Sequence, residues 1–321
     1  MLIKVAILII VVIFFALNMG GANFAASFGA AYGSNIIKRR KAILLFSLFV
    51  ILGALWLGKF VSNTLSKGII PQQTIDFNVS LAIFLSASLT LFLSNLLKVP
   101  QSTSLVTVGA IVGAGLYFGQ LHLHSFLFLI PMWILLPVIG YGLTLYLGRY
   151  FYPPRNGNFR LYEKIITHEK KLKTFVLISS CYNAFAVGTN NVANAVGPLW
   201  GAGIMNQLSG FLLIAPLFGI GGMLFKRSIQ ITGKGVVPLG IFTAVLVCFI
   251  TSTLMIIASA LGVPQSSVHL KMASIFAISS LKNGPRFTIK QSITKKTIIT
   301  WLISPLLAII SSFLLLKGII K

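Results

Sequence analysis

Carboxylates are nearly missing from this chain. Three acids, Asp76, Glu163 and Glu169, stand against 26 lysines and arginines, and charged residues of both signs are only 9% of the 321. A soluble domain carries roughly 25% charged residues, so this composition cannot build a water-facing surface. The shortage also excludes enzyme classes. An intramembrane aspartyl protease needs paired membrane carboxylates and a zinc protease needs H-E-x-x-H; neither is present. Ser209-Gly210 lacks the upstream glycine of a nucleophile elbow. Cysteine is almost as scarce. Cys181 and Cys248 lie in or beside apolar stretches without CxxC spacing, so neither a disulfide framework nor a metal site is expected. No enzyme activity and no cofactor are implied.

What the chain has is apolar sequence. Hydrophobic residues make up 56% and mean hydropathy is +0.95. Apolar runs of about 20 residues, the length that crosses a bilayer core of roughly 30 Å, recur throughout. Helix is the expected form, because a lipid-exposed segment must satisfy its own backbone groups. About ten spanning units are expected, at residues 2–37, 42–61, 78–97, 99–119, 125–148, 174–203, 206–225, 236–261, 264–281 and 297–316. The first and sixth of these are expected to be interrupted. Residues 99–119 and 264–281 are read either as full spans or as re-entrant segments. Residues 2–19 run into a glycine-rich motif without an A-x-A-like cleavage site, so they are read as retained.

The net charge of +23 does not indicate nucleic acid. The basic residues cluster in short connections (38–41, Lys98, 149–173, 226–234 and 282–296), and these fall on one side of the membrane under the ten-unit count. The opposite side holds residues 62–77 and turns near 121–124, 204 and 262. The positive-inside rule then gives a multi-pass plasma-membrane protein with both termini outside.

Three landmarks occur twice. Residues 20–33 read GGANFAASFGAAYG and residues 188–201 read GTNNVANAVGPLWG, with Gly20, Asn23, Ala25, Gly29 and Gly33 recurring 168 residues later. The glycines alone suit close helix packing. Asn23, Ser27, Asn190, Asn191 and Asn194 add polar groups that would be costly against lipid. Next, Val99-Pro100-Gln101-Ser102-Thr103-Ser104 is answered by Val263-Pro264-Gln265-Ser266-Ser267. Proline followed by hydroxyl residues at a helix start exposes free N–H groups, a ready site for an oxyanion, although Ser and Thr are also ordinary N-caps. Finally, Trp133-x-x-x-Pro137 returns as Trp301-x-x-x-Pro305, read as scaffold: an interfacial tryptophan and a kink.

The chain is therefore an internal duplication. Five units per half is an odd number, so the second copy inserts in the opposite sense. The expected fold is an all-α polytopic membrane protein of two inverted repeats, residues 1–150 and 174–321, joined by a basic cytoplasmic linker, 151–173. Interrupted helices would meet at the repeat interface, where transporters of this design bind substrate.

Together these landmarks resemble the inorganic phosphate transporter family of permeases, whose signature is a GANDxANxxG-like motif in each half and a later P-x-S-[ST]-T-H-like motif. The resemblance runs from residue 20 to about 310. Asn23 and Asn191 stand at the family's aspartate positions. Leu105 replaces the later histidine in the first half, while His269 matches it in the second. The loss of the motif aspartates resembles the sulfate permease branch, as do Gly68-Ile69-Ile70-Pro71-Gln72-Gln73-Thr74, Ser94-Asn95-Leu96-Leu97 and Lys282-Asn283-Gly284-Pro285.

The resemblance implies a secondary transporter importing a tetrahedral oxyanion. Sulfate is favoured over phosphate, because sulfate only accepts hydrogen bonds and the site lacks a carboxylate. Thiosulfate is a further candidate. The expected substrate groups are Asn23, Ser27, Ser102, Thr103, Ser104, Asn190, Asn191, Asn194, Ser266 and Ser267. The coupling ion is expected to be H⁺, with Na⁺ the lesser alternative; His269 is the proton candidate, with Asn23 and Asn191 as further coupling-ion candidates. Lys271 would either attract the anion or snorkel. A homodimer is plausible for the family. An anion channel is the competing reading, since the same donors could line a pore.

Overall fold

The computed structural model of the chain describes residues 2–33, 35–96, 101–152, 157–160, 163, 168–224 and 240–320. Lys98, Val99 and Pro100, much of the 151–173 linker and the basic run 226–234 lie outside the described residues.

Apolar sequence without strand-favouring alternation gives helices α1 (Leu2–Gly33), α2 (Arg39–Asn63), α3 (Phe77–Leu96), α4 (Thr103–Phe118) and α5 (Leu123–Phe151) in the first half. The second half supplies α6 (Glu169–Asn191), α7 (Ala193–Gly201), α8 (Gln207–Leu224), α9 (Ile241–Ala260), α10 (Ser267–Asn283), α11 (Pro285–Lys290) and α12 (Ser292–Ile319). Among the described residues, six helices are long and apolar enough to cross a membrane. The remaining expected units differ from simple spans. Helices α4 and α10 have 16 and 17 residues, about 24–26 Å at 1.5 Å per residue, short of a bilayer core. Each starts at a buried serine, Ser102 or Ser266, so each begins inside the protein.

Two further expectations are corrected. The first glycine motif does not interrupt its helix: α1 continues through residues 20–33. Only the second copy breaks, at Val192 between α6 and α7. The interruption is one residue long, since Val192 keeps helical dihedrals of φ −63° and ψ −34°, and Pro198, where the first copy has Ala30, lies within α7. The basic stretch 282–296 is also not simply a loop, since α11 and the start of α12 lie within it.

The glycines serve close packing. A methyl group on Gly20 would strike the backbone of Phe218 in α8, and one on Gly221 would strike the Leu17 carbonyl in α1. The other half repeats this arrangement. Gly188 in α6 lies on the backbone of Val50 in α2, and Gly53 in α2 lies on the Phe185 carbonyl in α6. Every residue in the second contact corresponds to one in the first at a separation of 168. Thus α1 packs on α8 as α6 packs on α2, and α4 packs on α12 while α10 packs on α5. Each half is built into the other, and the polar segments end up in the shared interior. In a bilayer, where helix association relies on such backbone approach, these four glycines have no substitute.

Gly53→Ala and Gly221→Ala are each expected to lower the melting temperature of the detergent-purified protein by about 5 °C or more. Gly142→Ala, with open space around the new methyl, should leave it unchanged or raise it. Equal melting of all three variants would remove the close-packing account.

Candidate functional site

The two motif copies meet side chain to side chain. Asn191 Nδ2 donates to Asn23 Oδ1 at 3.0 Å, joining residues 168 apart. Asn23 Oδ1 also accepts from Ser267 Oγ at 3.1 Å, and Asn191 Nδ2 lies 3.3 Å from the same hydroxyl. Asn23 is held from its own helix, its Nδ2 donating to the Met19 carbonyl at 2.9 Å. All three residues are buried. Helix α1, the broken end of α6 and the first turn of α10 therefore converge on one polar centre.

A second cluster surrounds the starts of α4 and α10. Asn194, just past the Val192 break, donates to Ser104 Oγ at 2.9 Å, and Ser104 donates to the Gln265 carbonyl at 3.0 Å. Asn190 donates to Ser259 Oγ and to the Val263 carbonyl, both at 2.9 Å, while its Oδ1 accepts from Gln265 N at 2.9 Å. The two buried helix starts thus lie within hydrogen-bond reach of each other. The first N–H groups of any helix lack intrahelical acceptors and carry the positive end of the dipole. Here two such ends share one interior.

Most of the expected site residues come together, but not all present free donors. Ser102 and Ser266 are N-caps, accepting from Leu105 N and His269 N at 3.1 Å each. This is their ordinary helix-start role; it uses each oxygen as an acceptor and leaves the hydroxyl hydrogen to donate. Thr103 is only half-buried. Ser27 donates to the Asn23 carbonyl and to Asn183 Oδ1, both at 2.8 Å. His269 is buried, with its ring 3.9 Å from that of Trp301 and its Nε2 without a partner; it packs on α12 rather than joining the Asn23–Asn191 cluster. His122 and His124 are exposed, as a solvated turn requires.

The tryptophans depart from the interfacial role expected of them. Trp133 Nε1 donates to the Pro264 carbonyl at 3.0 Å, while Trp301 backs His269. Trp133 thereby braces the Pro-Gln-Ser segment of the second half, whereas the Trp301 indole nitrogen lacks a partner among the described residues.

Four residues of interest escaped the sequence reading. Gln101 and Gln265 are buried, and both the nitrogen and the oxygen of each side-chain amide lack a partner. Such orphaned amides are rare and call for a reason. Their recurrence beside Pro100 and Pro264 was the available signal. Asn183 and Ser252 pair at 2.7 Å deeper in the bundle; the position 168 before Asn183 is Phe15, so the repeat carried no hint of them.

The fold and this buried, acid-free polar centre define a multi-pass membrane protein that handles a small polar solute. The model of the Phosphate transporter family matches residues 19–312, and the chain belongs to that family. The sulfate permease CysP of Bacillus subtilis is 35% identical over 311 residues, covering 96% of this chain and 86% of the relative. A candidate phosphate permease of Methanocaldococcus jannaschii is 27% identical over 301 residues, covering 92% of each chain. A solved structure titled the sodium-dependent phosphate transporter superposes with a TM-score of 0.82 over 99% of both chains at 21% identity, which establishes the shared fold. The protein is a membrane transporter of inorganic anions and not an enzyme.

Asn23→Ala and Asn191→Ala each remove the bond between the two amides and leave the surviving one with Ser267 as its partner in the cluster, at about 0.5–1.5 kcal/mol. Combined, they should cost clearly less than the sum of the two, by at least about 0.5 kcal/mol in a double-mutant cycle on thermal stability. Strict additivity would show that the two side chains act separately.

Proposed function

We propose that the protein imports sulfate by alternating access, with an opposite-sense pair of repeats rocking about the Asn23–Asn191 centre and both termini outside. The observation that carries this reading is the pair of orphaned amides, Gln101 and Gln265, each one residue before the cap of a buried helix start, in an interior without a carboxylate. Two amide groups and two helix N-termini supply donors to an anion. Asn23, Ser27, Thr103, Ser104, Asn190, Asn191, Asn194 and Ser267 surround or brace that space, and Ser102 and Ser266 aim the helix starts.

Neutral donors suit an anion that must also leave. The lack of an acid supports a fully ionised dianion, since a carboxylate at about 4 Å would repel each unit charge by on the order of 4 kcal/mol at an effective dielectric of 20. The 35% identity to a sulfate permease over most of both chains supports the same substrate. Proton symport completes this reading, with His269 as the titrating group.

Proteoliposomes should take up radiolabelled sulfate, with uptake rising as the outside pH falls. Phosphate in tenfold excess should compete poorly. Asn191→Asp should cut sulfate uptake at least 10-fold with the protein still inserted. Efficient phosphate entry that sulfate does not block would overturn the substrate assignment.

His269→Gln should flatten the pH dependence of uptake. An unchanged profile would take that residue out of the coupling step.

A further inference from the structure

Lys271 is a buried ammonium at a four-helix junction. It is 5% exposed, so its side chain does not snorkel to the surface. Its Nζ donates to the Ala26 carbonyl at 2.7 Å and to Asn183 Oδ1 at 2.8 Å. Asn183 Oδ1 also accepts from Ser27 Oγ, and Asn183 Nδ2 donates to Ser252 Oγ. Helices α1, α6, α9 and α10 all contribute. Among the described residues the bonds of Nζ go to neutral oxygens and not to a carboxylate. Asp76 caps α3, accepting from Val79 N at 2.8 Å, and Glu163 and Glu169 lie in or beside the basic linker. Unpaired buried charge is costly, and a charge retained inside membrane helices marks function.

The nitrogen is held by a backbone carbonyl and an amide oxygen, and the Ser27 and Ser252 hydroxyls bond to that same amide. Neutral oxygens of these kinds hold monovalent cations in channels and transporters. The cluster also adjoins the substrate centre. Lys271 lies one helical turn beyond Ser267 on α10, and Ser27 lies one turn beyond Asn23 on α1, so the two layers are stacked about 5–6 Å apart along the helices.

We propose that Lys271 is a built-in monovalent cation. It fills a position that a diffusible cation would otherwise occupy and balances one charge of the bound anion. This rests on the reading of the Asn23–Asn191–Ser267 centre as an oxyanion site. Its consequence is that the wild-type protein needs no sodium, and that removing the ammonium creates a need for a free cation.

The test uses the full-length protein in proteoliposomes, with sulfate uptake measured in sodium or choline medium at matched pH. Wild-type uptake should agree within about twofold between the two. Lys271→Ala should lose at least 10-fold in choline and recover at least threefold on addition of tens of millimolar sodium or methylammonium. Lys271→Gln, closer in volume, should show the same choline defect with a weaker recovery, and serves if the alanine variant is not monodisperse. The proposal is overturned by strict sodium dependence of the wild type, by full activity of the variants in choline, or by a loss in well-folded variants that neither cation restores. Running the same series with phosphate separates the two readings. A wild-type protein that carries phosphate but not sulfate refutes the substrate assignment, while the sodium comparison still decides the role of Lys271.

Discussion

Interior polar groups in a membrane protein must find partners within the protein, and the contact from Asn191 to Asn23 is where this chain meets that constraint. Lipid offers no donors or acceptors, so an amide brought inside is held by another protein group, as Asn23 is, or left open to a ligand, as Gln101 and Gln265 are. Asn23 Oδ1 is matched twice, by Asn191 and Ser267, and these three residues come from three helices. Helix α1 therefore cannot slide without unpairing groups on α6 and α10. The glycine contacts hold the two asparagine-bearing helices from their other sides: Gly20 on Phe218 seats α1 on α8, and Gly188 on Val50 seats α6 on α2.

The duplication was legible because both kinds of constraint repeat at one spacing. Gly20 and Gly188, Asn23 and Asn191, and Trp133 and Trp301 are visible pairs, and the reciprocal packing of the halves follows from them. What each pair does was less legible. Glycine within a polar motif suits a helix break or a close approach equally well, and only the placement of Phe218 and Val50 against the bare Cα atoms decides for packing. The break itself falls in one copy, at Val192, where the repeat is imperfect. Serines after a proline can face a ligand or cap a helix; the bonds to Leu105 N and His269 N show capping at Ser102 and Ser266, a role that leaves each hydroxyl a hydrogen to donate. Asn183, which faces Phe15 in the alignment of the halves, carried no signal, because its partners come from helices far along the chain.

The asymmetry between the halves bears on transport. If the two copies were identical, each half would bring the same groups to the polar centre. Instead the first copy offers a continuous helix through Asn23, whereas the second offers a break at Val192 and a cation on α10. Thr107, four residues after Thr103, occupies the place in α4 that Lys271, four after Ser267, takes in α10, and its hydroxyl simply bonds back to Thr103. The charge is therefore confined to one side of the centre. An anion held between two helix starts feels the fixed ammonium more strongly from one half than from the other.

That one-sidedness fits an importer better than a pore. A conducting channel needs sites weak enough to leave in either direction, and a fixed cation one helical turn from the centre would slow passage in any conformation that keeps it close. In a carrier the same charge is useful, because rocking of the halves can change its distance from the anion, strengthening the site in one state and weakening it in the other. The backbone carbonyl of Ala26 and the amide oxygen of Asn183 belong to different halves, so Lys271 is tethered across the interface between them. Under the proposed rocking motion, separating α1 from α6 would redistribute those two bonds and so couple the charge on the site to the direction in which it faces.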